Sequence, residues 1–465
     1  MSAQLLAGEA AAWMGGLLRQ GSPASEFTGV SIDTRTLAAG ELFVAIAGPN
    51  HDAHGFLAKA AAAGAGGLAI LRGRALPAEL KPELPVIEVA DTTKALGALA
   101  AGHRARFRGP VVAITGSNGK TTTKEMCAAI LGWAAPCLKT QGNLNNEFGV
   151  PLTLLRRRES DRALVVEIGM NHRGEIAPLA AIARPTVGVV TNVGSAHVEH
   201  LGSREAIALE KGDLLAALPA DGAAVIPADD GFGLAGRTRA RIVRFGRGVD
   251  ADVRAEEVRT LETGGFAFQL ATPGGSVAAR VAGLGEATLS NALAAAAAAQ
   301  AAGASLEALA AGLAGYQPAH GRLERIELGD GIVLLDDTYN ANPQSMEMAL
   351  RVLAERRGRG RGLAVLGEMG ELGATADQAH RDVGRLVGSL GIDRLYALGA
   401  FASRFAEGAS AAGMPAERIA ICRDHDELAE RVARELTPLD WVLVKGSRSA
   451  RMERVVERLA ARGKD

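Results

Sequence analysis

The segment TGSNGKTT, residues 115–122, combines two glycines, a lysine and threonines in an order that suits phosphate binding. Gly116 and Gly119 permit a tight turn whose backbone N–H groups point at phosphate oxygens, and a helix N-terminus adds partial positive charge. Lys120 would reach the β- and γ-phosphates of a nucleotide, and the Thr121 hydroxyl would bind Mg²⁺. The residues expected to contact the nucleotide here are Thr115, Gly116, Ser117, Asn118, Gly119, Lys120, Thr121 and Thr122.

This loop departs from the usual phosphate-loop pattern G-x-x-x-x-G-K-[ST], which has a glycine at the position of Ile114. Its setting still favours nucleotide binding, because an apolar run of strand type ends at about Thr115 and a helix is expected from about Lys120. The alternative is a glycine turn that only joins a strand to a helix.

Ligands for Mg²⁺ are expected at the ends of neighbouring strands, because Mg²⁺ prefers hard oxygen atoms and ligands bind beyond the carboxyl ends of parallel strands. Glu167 closes the run ALVVE, and His197 follows the run TVGVVTNVG. A lone histidine is more often a surface or capping residue than a metal ligand. The position of His197 beyond a strand, beside a phosphate loop, favours a role in the site.

Three regions of the chain are predicted to position these residues. Residues 1–108 contain short β-type runs between Ala-rich stretches, which predicts a small mixed α/β domain. In residues 109–316, apolar runs of parallel-sheet type alternate with helices, which predicts a central doubly wound nucleotide-binding domain. Residues 317–465 follow a Gly- and Pro-containing segment and predict a Rossmann-like α/β domain. The predicted strands lie at 41–48, 67–73, 84–91, 111–115, 163–169, 186–194, 222–227, 332–337, 362–368, 394–400, 418–422 and 441–446.

Composition excludes several classes of protein. A length of 465 residues suits about three domains, and a net charge of −1 offers no basic surface for nucleic acid. Three cysteines without C-x-x-C spacing predict neither a disulfide framework nor a zinc site, so we expect a cytoplasmic protein.

Two Ala-rich segments are predicted to be helices of a soluble protein. Residues 1–20 lack a basic start and carry Glu9, which favours an amphipathic helix over a signal peptide. Residues 291–315 form an alanine run of low hydrophobicity that Gln300 and Glu307 interrupt, so we expect a packed helix. No membrane span is predicted.

The chain contains, in this order, the motifs TGSNGKTTTKEM, GNLNNEFGVPLTLLR, VVEIGMNHRGEI, NVGSAHVEHLGS, EKGDLL, DDTYNANPQSM, GEMGELG and VKGSRSARME. Together they resemble the Mur ligases of peptidoglycan synthesis, and they span nearly the whole chain. A phosphate loop without the earlier glycine is that family's own form, which accounts for Ile114. Within the family the motifs are most similar to the enzymes that join D-alanyl-D-alanine to UDP-N-acetylmuramoyl-tripeptide (UDP-MurNAc-tripeptide).

The resemblance implies three domains: one that holds the UDP-sugar, a central ATPase domain and a C-terminal domain that closes over ATP. It implies that ATP phosphorylates the terminal carboxylate of the tripeptide to an acyl phosphate, which the amine of D-alanyl-D-alanine then attacks. The expected partners are these small substrates, and a monomer is expected.

The resemblance also implies roles for single residues. Two Mg²⁺ ions are expected, one on Thr121 and Glu167 and a second near Glu167 and His197. Lys211, in EKGDLL, matches the lysine that this family carbamylates, and its carbamate would bridge to the second ion; the alternative is an ordinary surface lysine. The N-terminal strip GVSIDTRTLAAGELFVAIAG resembles the family's UDP-binding strip. Its expected contacts are Ser31, Asp33, Thr34 and Arg35, although S-x-D-x-R alone more often forms a turn with a surface ion pair.

Other parts of the site would hold the substrates and the nucleoside. The amide-rich segment QGNLNNEFG is expected to bind neutral sugar or amide groups through Asn143, Asn145 and Asn146, and as a bare motif it is a turn. Nucleotide contacts are expected from Arg322, Asp337, Tyr339 and Asn340. Contacts to the peptide, or to the carboxylate of the incoming dipeptide, are expected from Lys445, Ser447 and Arg448.

One segment departs from the family pattern. Where the family has G-x-H-N before N-A-x-A-A, this chain has GLGEATLSNALAA, so Ala287 and Thr288 replace the His-Asn pair. Asn291 is retained and is expected to contact adenine. We therefore expect nucleotide affinity or selectivity to differ from that of relatives.

Three rival functions are compatible with parts of the sequence. The ligase that adds the third amino acid lacks support, because its D-N-P-R motif is absent. A folylpolyglutamate synthase is the other rival within the superfamily. A P-loop kinase or mechanical ATPase would need neither the UDP-type strip nor a third domain.

Overall fold

The structure, a computed structural model, describes residues 5–48, 51–194, 198–262 and 264–462. Within these ranges the strands form three large sheets of five, nine and six strands and one two-stranded ribbon. The predicted fold class, three α/β domains with parallel sheets in the second and third, is confirmed. The domain boundaries stay predictions; they fall in the segments after α3 (Thr92–Ala105) and after α10 (Leu306–Gly315).

The N-terminal sheet has the order β2-β7-β6-β5-β4, with β2 antiparallel to a parallel remainder. Its elements are β1 (Leu5–Leu6), α1 (Ala7–Trp13), β2 (Leu17–Gln20), β3 (Glu26–Phe27), β4 (Val30–Ser31), β5 (Leu42–Val44), α2 (Leu57–Ala62), β6 (Gly67–Leu71), β7 (Val86–Val89) and α3.

The predicted helix over residues 1–20 is wrong in extent. The helix spans only Ala7–Trp13, and β2 follows it. Gly15 has a φ of +62°, which ends the helix, and a Cβ on Gly16 would lie 2.8 Å from the Glu88 carbonyl oxygen of β7. The glycine pair therefore turns the chain into a strand instead of continuing the helix.

The central sheet has the order β16-β15-β14-β13-β12-β11-β8-β10-β9. Its elements are β8 (Val111–Thr115), α4 (Lys120–Leu131), β9 (Cys137–Lys139), α5 (Gly149–Leu155), β10 (Ala163–Glu167), α6 (Ile176–Ala183), β11 (Val187–Val190), α7 (Val198–Leu201), α8 (Arg204–Ala216), β12 (Ala223–Pro227), β13 (Arg241–Gly246), β14 (Val253–Thr260), β15 (Phe266–Thr272), β16 (Gly275–Val281), α9 (Glu286–Ala301) and α10. All pairings from β9 across the sheet to β14, including those of β8 with β10 and β11, are parallel. The pairings of β15 with β14 and with β16 are antiparallel.

The Ala-rich run predicted as one helix forms two, α9 and α10. Gly303, with a φ of +97°, separates them, and the Ser305 side chain accepts a hydrogen bond from the Ala308 N–H to start α10. The small side chains of α9 let it pack against α4 and the sheet, and Ala292–Ala299 are fully buried.

The C-terminal sheet has the order β17-β18-β22-β19-β20-β21, parallel except for β17. Its elements are β17 (Glu324–Gly329), β18 (Ile332–Asp337), α11 (Pro343–Arg356), β19 (Gly362–Leu366), α12 (Ala376–Ser389), β20 (Arg394–Ala397), α13 (Ala402–Ala411), β21 (Ile419–Ile421), α14 (His425–Glu435), β22 (Trp441–Lys445) and α15 (Glu453–Arg462). Among the described residues, no helix has both the length and the apolar character needed to cross a membrane.

Candidate functional site

The phosphate loop connects β8, a strand of five fully buried residues, to α4. Gly116 has a φ of +152°, and a Cβ there would lie 1.8 Å from the Thr191 hydroxyl oxygen. Gly119 has a φ of +80°, and a Cβ there would lie 2.2 Å from Oδ1 of Asn291. Both positions therefore require glycine, for conformation and for space.

The segment after β11 holds the loop in place. The Ser117 N–H donates to the Asn192 carbonyl at 3.1 Å, and the Asn118 N–H donates to Asn192 Oδ1 at 3.0 Å. In return, the Thr191 hydroxyl and Asn192 Nδ2 donate to the Asn118 carbonyl at 2.6 and 2.9 Å. Sequence reasoning missed Thr191 and Asn192, although polar residues after a parallel strand are the same signal that identified Glu167.

Lys120, the first residue of α4, folds back over the loop that precedes it. Its Nζ donates to the Gly116 carbonyl at 2.8 Å. Burial lowers the pKa of this amine, and the nearby Glu167 carboxylate opposes that shift. A phosphate group at the loop would give the ammonium anionic oxygens in place of a backbone carbonyl.

Thr121 and Glu167 meet, as the parallel arrangement of β8 and β10 requires. The Thr121 hydroxyl donates to Glu167 Oε2 at 2.9 Å, and Asn145 Nδ2 donates to Glu167 Oε1 at 2.8 Å. Arg322, from the linker before β17, donates from Nη2 to the Thr121 hydroxyl at 2.9 Å. Oxygen atoms from two segments, on Thr121 and Glu167, therefore converge with the guanidinium of Arg322.

Lys211 and Glu210 lie on α8, buried beside the site. Lys211 is 1% exposed, and its pKa falls well below the ordinary value because of burial and the nearby Lys120 cation. The Glu210 carboxylate accepts from the N–H groups of Gly174 and Ile176 at 2.8 and 2.9 Å, which fixes the start of α6. The predicted ligand His197 lies outside the described residues.

The C-terminal domain supplies the opposite wall. The Arg322 guanidinium stacks over the Tyr339 ring, 4.0 Å from its centroid. Lys445 Nζ donates to Asp337 Oδ2 at 2.6 Å and to the Asn340 carbonyl at 2.9 Å. Lys445 is thus engaged in a buried ion pair in this structure, with Asp337 as its partner.

Two residues of this wall that sequence reasoning missed contact the phosphate loop directly. Asn342 Nδ2 donates to Asn118 Oδ1 at 2.8 Å, and Asn118 Nδ2 donates to Gln344 Oε1 at 3.4 Å. Asn342 also caps α11, with Pro343 at its first position.

A cleft of about 1110 Å³ lies between the central and C-terminal domains. It brings together most of the predicted nucleotide and substrate residues. Those that line it are Ser117, Asn118, Gly119, Lys120, Thr121, Thr122, Asn143, Asn145, Asn146, Glu167, Asn291, Arg322, Asp337, Tyr339, Asn340, Lys445, Ser447 and Arg448. Tyr316, which the sequence did not indicate, also lines the cleft; burial raises the pKa of its hydroxyl to about 12.

Thr115, which does not line the cleft, and three of the lining residues are engaged in local contacts. Thr115 is fully buried at the end of β8. Asn146 Oδ1 accepts a hydrogen bond from the N–H of Gly149, the first residue of α5, at 3.0 Å. Ser447 Oγ lies 3.0 Å from Ser449 Oγ, and Arg448 pairs with Glu453 at 3.6 Å.

Residues 31–35 lie apart from the cleft, in a turn after β4. Asp33 pairs with Arg35 at 2.6 Å, and this bond is the main cause that lowers the pKa of Asp33 to about 2. Ser31 Oγ accepts a hydrogen bond from the Asp33 N–H at 3.2 Å. Thr34, between Asp33 and Arg35 in the sequence, is half-buried. β4 contacts α5, the helix that follows the amide-rich loop in the central domain.

At the segment that departs from the family pattern, Ala287 and Thr288 line the cleft. The Thr288 hydroxyl donates to the Leu284 carbonyl at 2.8 Å, so it is engaged with the backbone just before α9. Asn291 Oδ1 accepts from the Thr123 hydroxyl at 3.4 Å, beneath the phosphate loop.

Comparisons with known proteins agree with this geometry. The chain matches the Mur ligase middle domain over residues 114–299 and the Mur ligase, glutamate ligase domain over residues 321–448. It is 40% identical to the UDP-N-acetylmuramoyl-tripeptide–D-alanyl-D-alanine ligase of Escherichia coli, over 93% of this chain and 94% of that one. A crystal structure of MurF from Acinetobacter baumannii matches with a TM-score of 0.89 at 36% identity, covering 98% of this chain and 99% of the other. MurF ligase from Thermotoga maritima in complex with ADP matches with a TM-score of 0.81 at 28% identity, covering 94% and 98%.

Proposed function

Since the chain belongs to the Mur ligase family, we propose that it joins D-alanyl-D-alanine to UDP-MurNAc-tripeptide in an ATP-dependent reaction. The product is the UDP-MurNAc-pentapeptide of peptidoglycan synthesis. The hydrogen bond from Arg322 to Thr121 supports this most directly, because it joins the C-terminal domain to the phosphate loop across one cleft. A simple ATPase needs no such second wall.

A carboxylate is a poor electrophile, and the oxygen that it would lose is a poor leaving group. Transfer of the γ-phosphoryl group of ATP to the tripeptide carboxylate makes an acyl phosphate, which solves both problems. The amine of the dipeptide then attacks the carbonyl carbon, and phosphate leaves. Because the reacting groups are anions, the site must hold them with cations and N–H donors.

The nucleotide phosphates would bind the backbone N–H groups of the loop and Lys120. Arg322, stacked on Tyr339, would contact ribose or phosphate, with Asp337 toward the ribose hydroxyls and Asn340 nearby. On the adenine side we place Asn291. Its present contact with the underside of the loop keeps it beside the nucleotide position.

Thr121 and Glu167 fit a Mg²⁺ ion, because a hydroxyl and a carboxylate already converge at 2.9 Å and both are hard oxygen ligands. Mg²⁺ would neutralise charge on the β- and γ-phosphates. Asn145 would keep the Glu167 carboxylate oriented through its second oxygen. His197 is proposed as a further ligand from the sequence pattern alone.

Lys211 fits carbamylation. Burial and the nearby Lys120 cation lower the pKa of its amine well below the ordinary value, which favours the neutral form that adds to the carbon of CO₂ with loss of a proton. The product is an anion near the Lys120 ammonium, and the attraction between the two stabilises it. Its oxygens would suit the second Mg²⁺.

The UDP-linked substrate would bind the N-terminal turn through Ser31, Asp33, Thr34 and Arg35. The Arg35 side chain is exposed and could exchange its Asp33 partner for pyrophosphate. The amide loop at 143–146 would contact the sugar or peptide, and Ser447 and Arg448 would meet the incoming dipeptide. The three cysteines are free thiols, which supports a cytoplasmic location.

Phosphate release tests the function when ATP, UDP-MurNAc-tripeptide and D-alanyl-D-alanine are omitted in turn. We expect full release only when all three are present, with pentapeptide formed in equal amount. Release that depends on ATP alone would point to a P-loop ATPase and would refute the proposal. Replacing the tripeptide with its dipeptide precursor distinguishes the ligase that adds the third residue.

The carbamate is tested with Lys211→Ala. We expect loss of activity and partial recovery when acetate or another short carboxylic acid is supplied, because its carboxylate can occupy the vacated space. Lys120→Ala is the matched control, since a carboxylate cannot replace a cation there. Full activity of Lys211→Ala without acid would disprove the role of the carbamate and leave the ligase reaction untouched.

A further inference from the structure

Three metal-binding side chains meet outside the cleft, where the linker enters the C-terminal domain. Nδ1 of His320 lies 2.7 Å from Glu324 Oε2 and 3.6 Å from Asp336 Oδ2. All three ligand atoms lie within 4.8 Å of one another. Glu324 and Asp336 face each other in the antiparallel register of β17 and β18, so the backbone fixes their relative position.

Asp336 carries an unsatisfied oxygen aimed at this point. The residue is 0% exposed, and its Oδ1 accepts from the N–H and the hydroxyl of Thr338 at 3.1 and 2.6 Å. Its Oδ2 has no hydrogen-bond partner among the described residues. Nδ1 of His320 carries at most one proton, and Glu324 lies closer to it. A buried carboxylate oxygen without a donor is unfavourable, so a ligand at this point would satisfy it.

The cluster lies on the other side of β18 from the nucleotide cleft. Side chains alternate along a strand, so Asp336 and Asp337 point to opposite faces. Asp337 lines the cleft and pairs with Lys445. A group bound at Asp336 is therefore separate from the phosphate loop and from Glu167.

We propose that His320, Glu324 and Asp336 bind a divalent transition-metal ion of the Zn²⁺ class. An imidazole nitrogen and two carboxylate oxygens suit such an ion, and water would complete a tetrahedral set. Tetrahedral ligands at bond lengths of about 2.1 Å lie about 3.4 Å apart. The His320–Glu324 pair must open slightly to reach that separation, and the His320 side chain, 73% exposed, is free to move.

The bound ion would tie the interdomain linker to β18. His320 lies two residues before Arg322, and Asp336 lies three residues before Tyr339. The Tyr339 N–H also donates to the Gly321 carbonyl at 3.1 Å. The ion would therefore hold together the two chain segments that carry the stacked Arg322–Tyr339 pair. It would act on the position of Arg322 and would take no part in phosphoryl transfer.

Cobalt absorption tests the site on the full-length protein. Co²⁺ is titrated in excess Mg²⁺ and without nucleotide, so that the Mg²⁺ ligands are occupied. We expect wild type to bind one Co²⁺ more than His320→Gln, with the visible absorption of a nitrogen- and oxygen-ligated ion. His51→Gln removes another exposed histidine and should bind as wild type does. Equal stoichiometry and affinity in wild type and His320→Gln would overturn the proposal.

Thermal unfolding with Zn²⁺ gives a second measurement. Zn²⁺ should raise the melting temperature of wild type and His51→Gln, because an ion that binds only the folded state stabilises it. The rise should be absent in Glu324→Gln, a partly exposed position that tolerates an amide. Asp336→Asn completes the set and should lose Co²⁺ binding at least tenfold if it folds. If Glu324→Gln keeps the Zn²⁺-dependent rise, these residues do not bind the ion.

Discussion

Lys445→Met should destabilise the C-terminal domain by about 3–5 kcal/mol, the usual cost of breaking one half of a buried ion pair. The Lys445 and Asp337 side chains are 2% and 15% exposed, and their charged atoms lie 2.6 Å apart. Without the ammonium, the Leu323 N–H at 3.2 Å is the one donor that the Asp337 carboxylate keeps among the described residues, and the Asn340 carbonyl loses the Lys445 donor. The Asp337 side chain is only 15% exposed, so water replaces the lost ammonium poorly.

The domain can be followed by its own tryptophan. The chain has three tryptophans, and Trp441 lies on β22, the strand that carries Lys445. In a Trp13→Phe/Trp133→Phe background, urea unfolding monitored by fluorescence reports on the C-terminal domain alone. The midpoint should fall while the slope stays constant, because the exposed surface on unfolding is unchanged.

Arg448→Met is the matched control. It removes a cation in the same domain, but one whose side chain is 72% exposed and pairs at 3.6 Å, so the cost should stay below about 1 kcal/mol. Asp337→Asn/Lys445→Met should cost less than the two single changes together, because no lone charge stays buried. If Lys445→Met costs no more than Arg448→Met, the ion pair is not structural. A raised KM for D-alanyl-D-alanine at unchanged stability would instead assign Lys445 to the dipeptide.

Three other changes have definite expected outcomes. Gly119→Ala should raise the KM for ATP at least tenfold, because its Cβ meets Asn291 at 2.2 Å; Gly413→Ala, with a φ of +89° and open space, should not, and equal effects would exclude the clash. Glu167→Gln should raise the Mg²⁺ concentration for half-maximal phosphate release at least tenfold, and an unchanged requirement would remove Glu167 from the metal site. Burial lowers the pKa of His103 from 6.5 to about 4, so the unfolded state binds the proton first as pH falls. The free energy of unfolding, highest above about pH 6.5, should therefore decline toward pH 4 by up to about 3 kcal/mol. Urea unfolding of His103→Leu should show little of that pH dependence.

Local patterns predicted much of this fold. The runs VVAIT and ALVVE are continuously apolar because both faces of a parallel strand are buried, and the structure has strands at Val111–Thr115 and Ala163–Glu167. The glycines and lysine of the phosphate loop are also local, so their place between strand and helix followed from the sequence. Because ligands bind beyond the carboxyl ends of parallel strands, the sequence also predicted that Glu167 would lie near Thr121.

Strands exposed on one face were harder to predict. The segment VRAEEVRT forms β14, and its alternation of buried and exposed residues is interrupted by a register shift between Glu256 and Arg259. Such a segment resembles a polar loop in composition, because its inward residues are few. The antiparallel end of the central sheet was missed for this reason.

The contacts that join the domains depend on the tertiary fold rather than on local pattern. Thr121 and Arg322 are 201 residues apart in sequence, and Asn118 and Asn342 are 224 apart. The motifs indicated that Arg322 serves the nucleotide, but nothing local indicates which hydroxyl it contacts. The same holds for Lys445, whose buried partner lies 108 residues earlier.

For the adjacent residues Asp336 and Asp337, the sequence does not predict which carboxylate faces the nucleotide cleft, and the pairing of the strands determines it. Strand alternation allows only one of two neighbours to face the nucleotide, but alternation alone does not say which. Pairing of β18 with β22 places Asp337 beside Lys445 at the cleft and turns Asp336 toward His320. Two identical side chains, one residue apart, thereby acquire different partners: an internal ammonium satisfies one, and the other keeps an oxygen free. Exchange of either for asparagine should therefore have separate effects, on domain stability at 337 and on metal binding at 336.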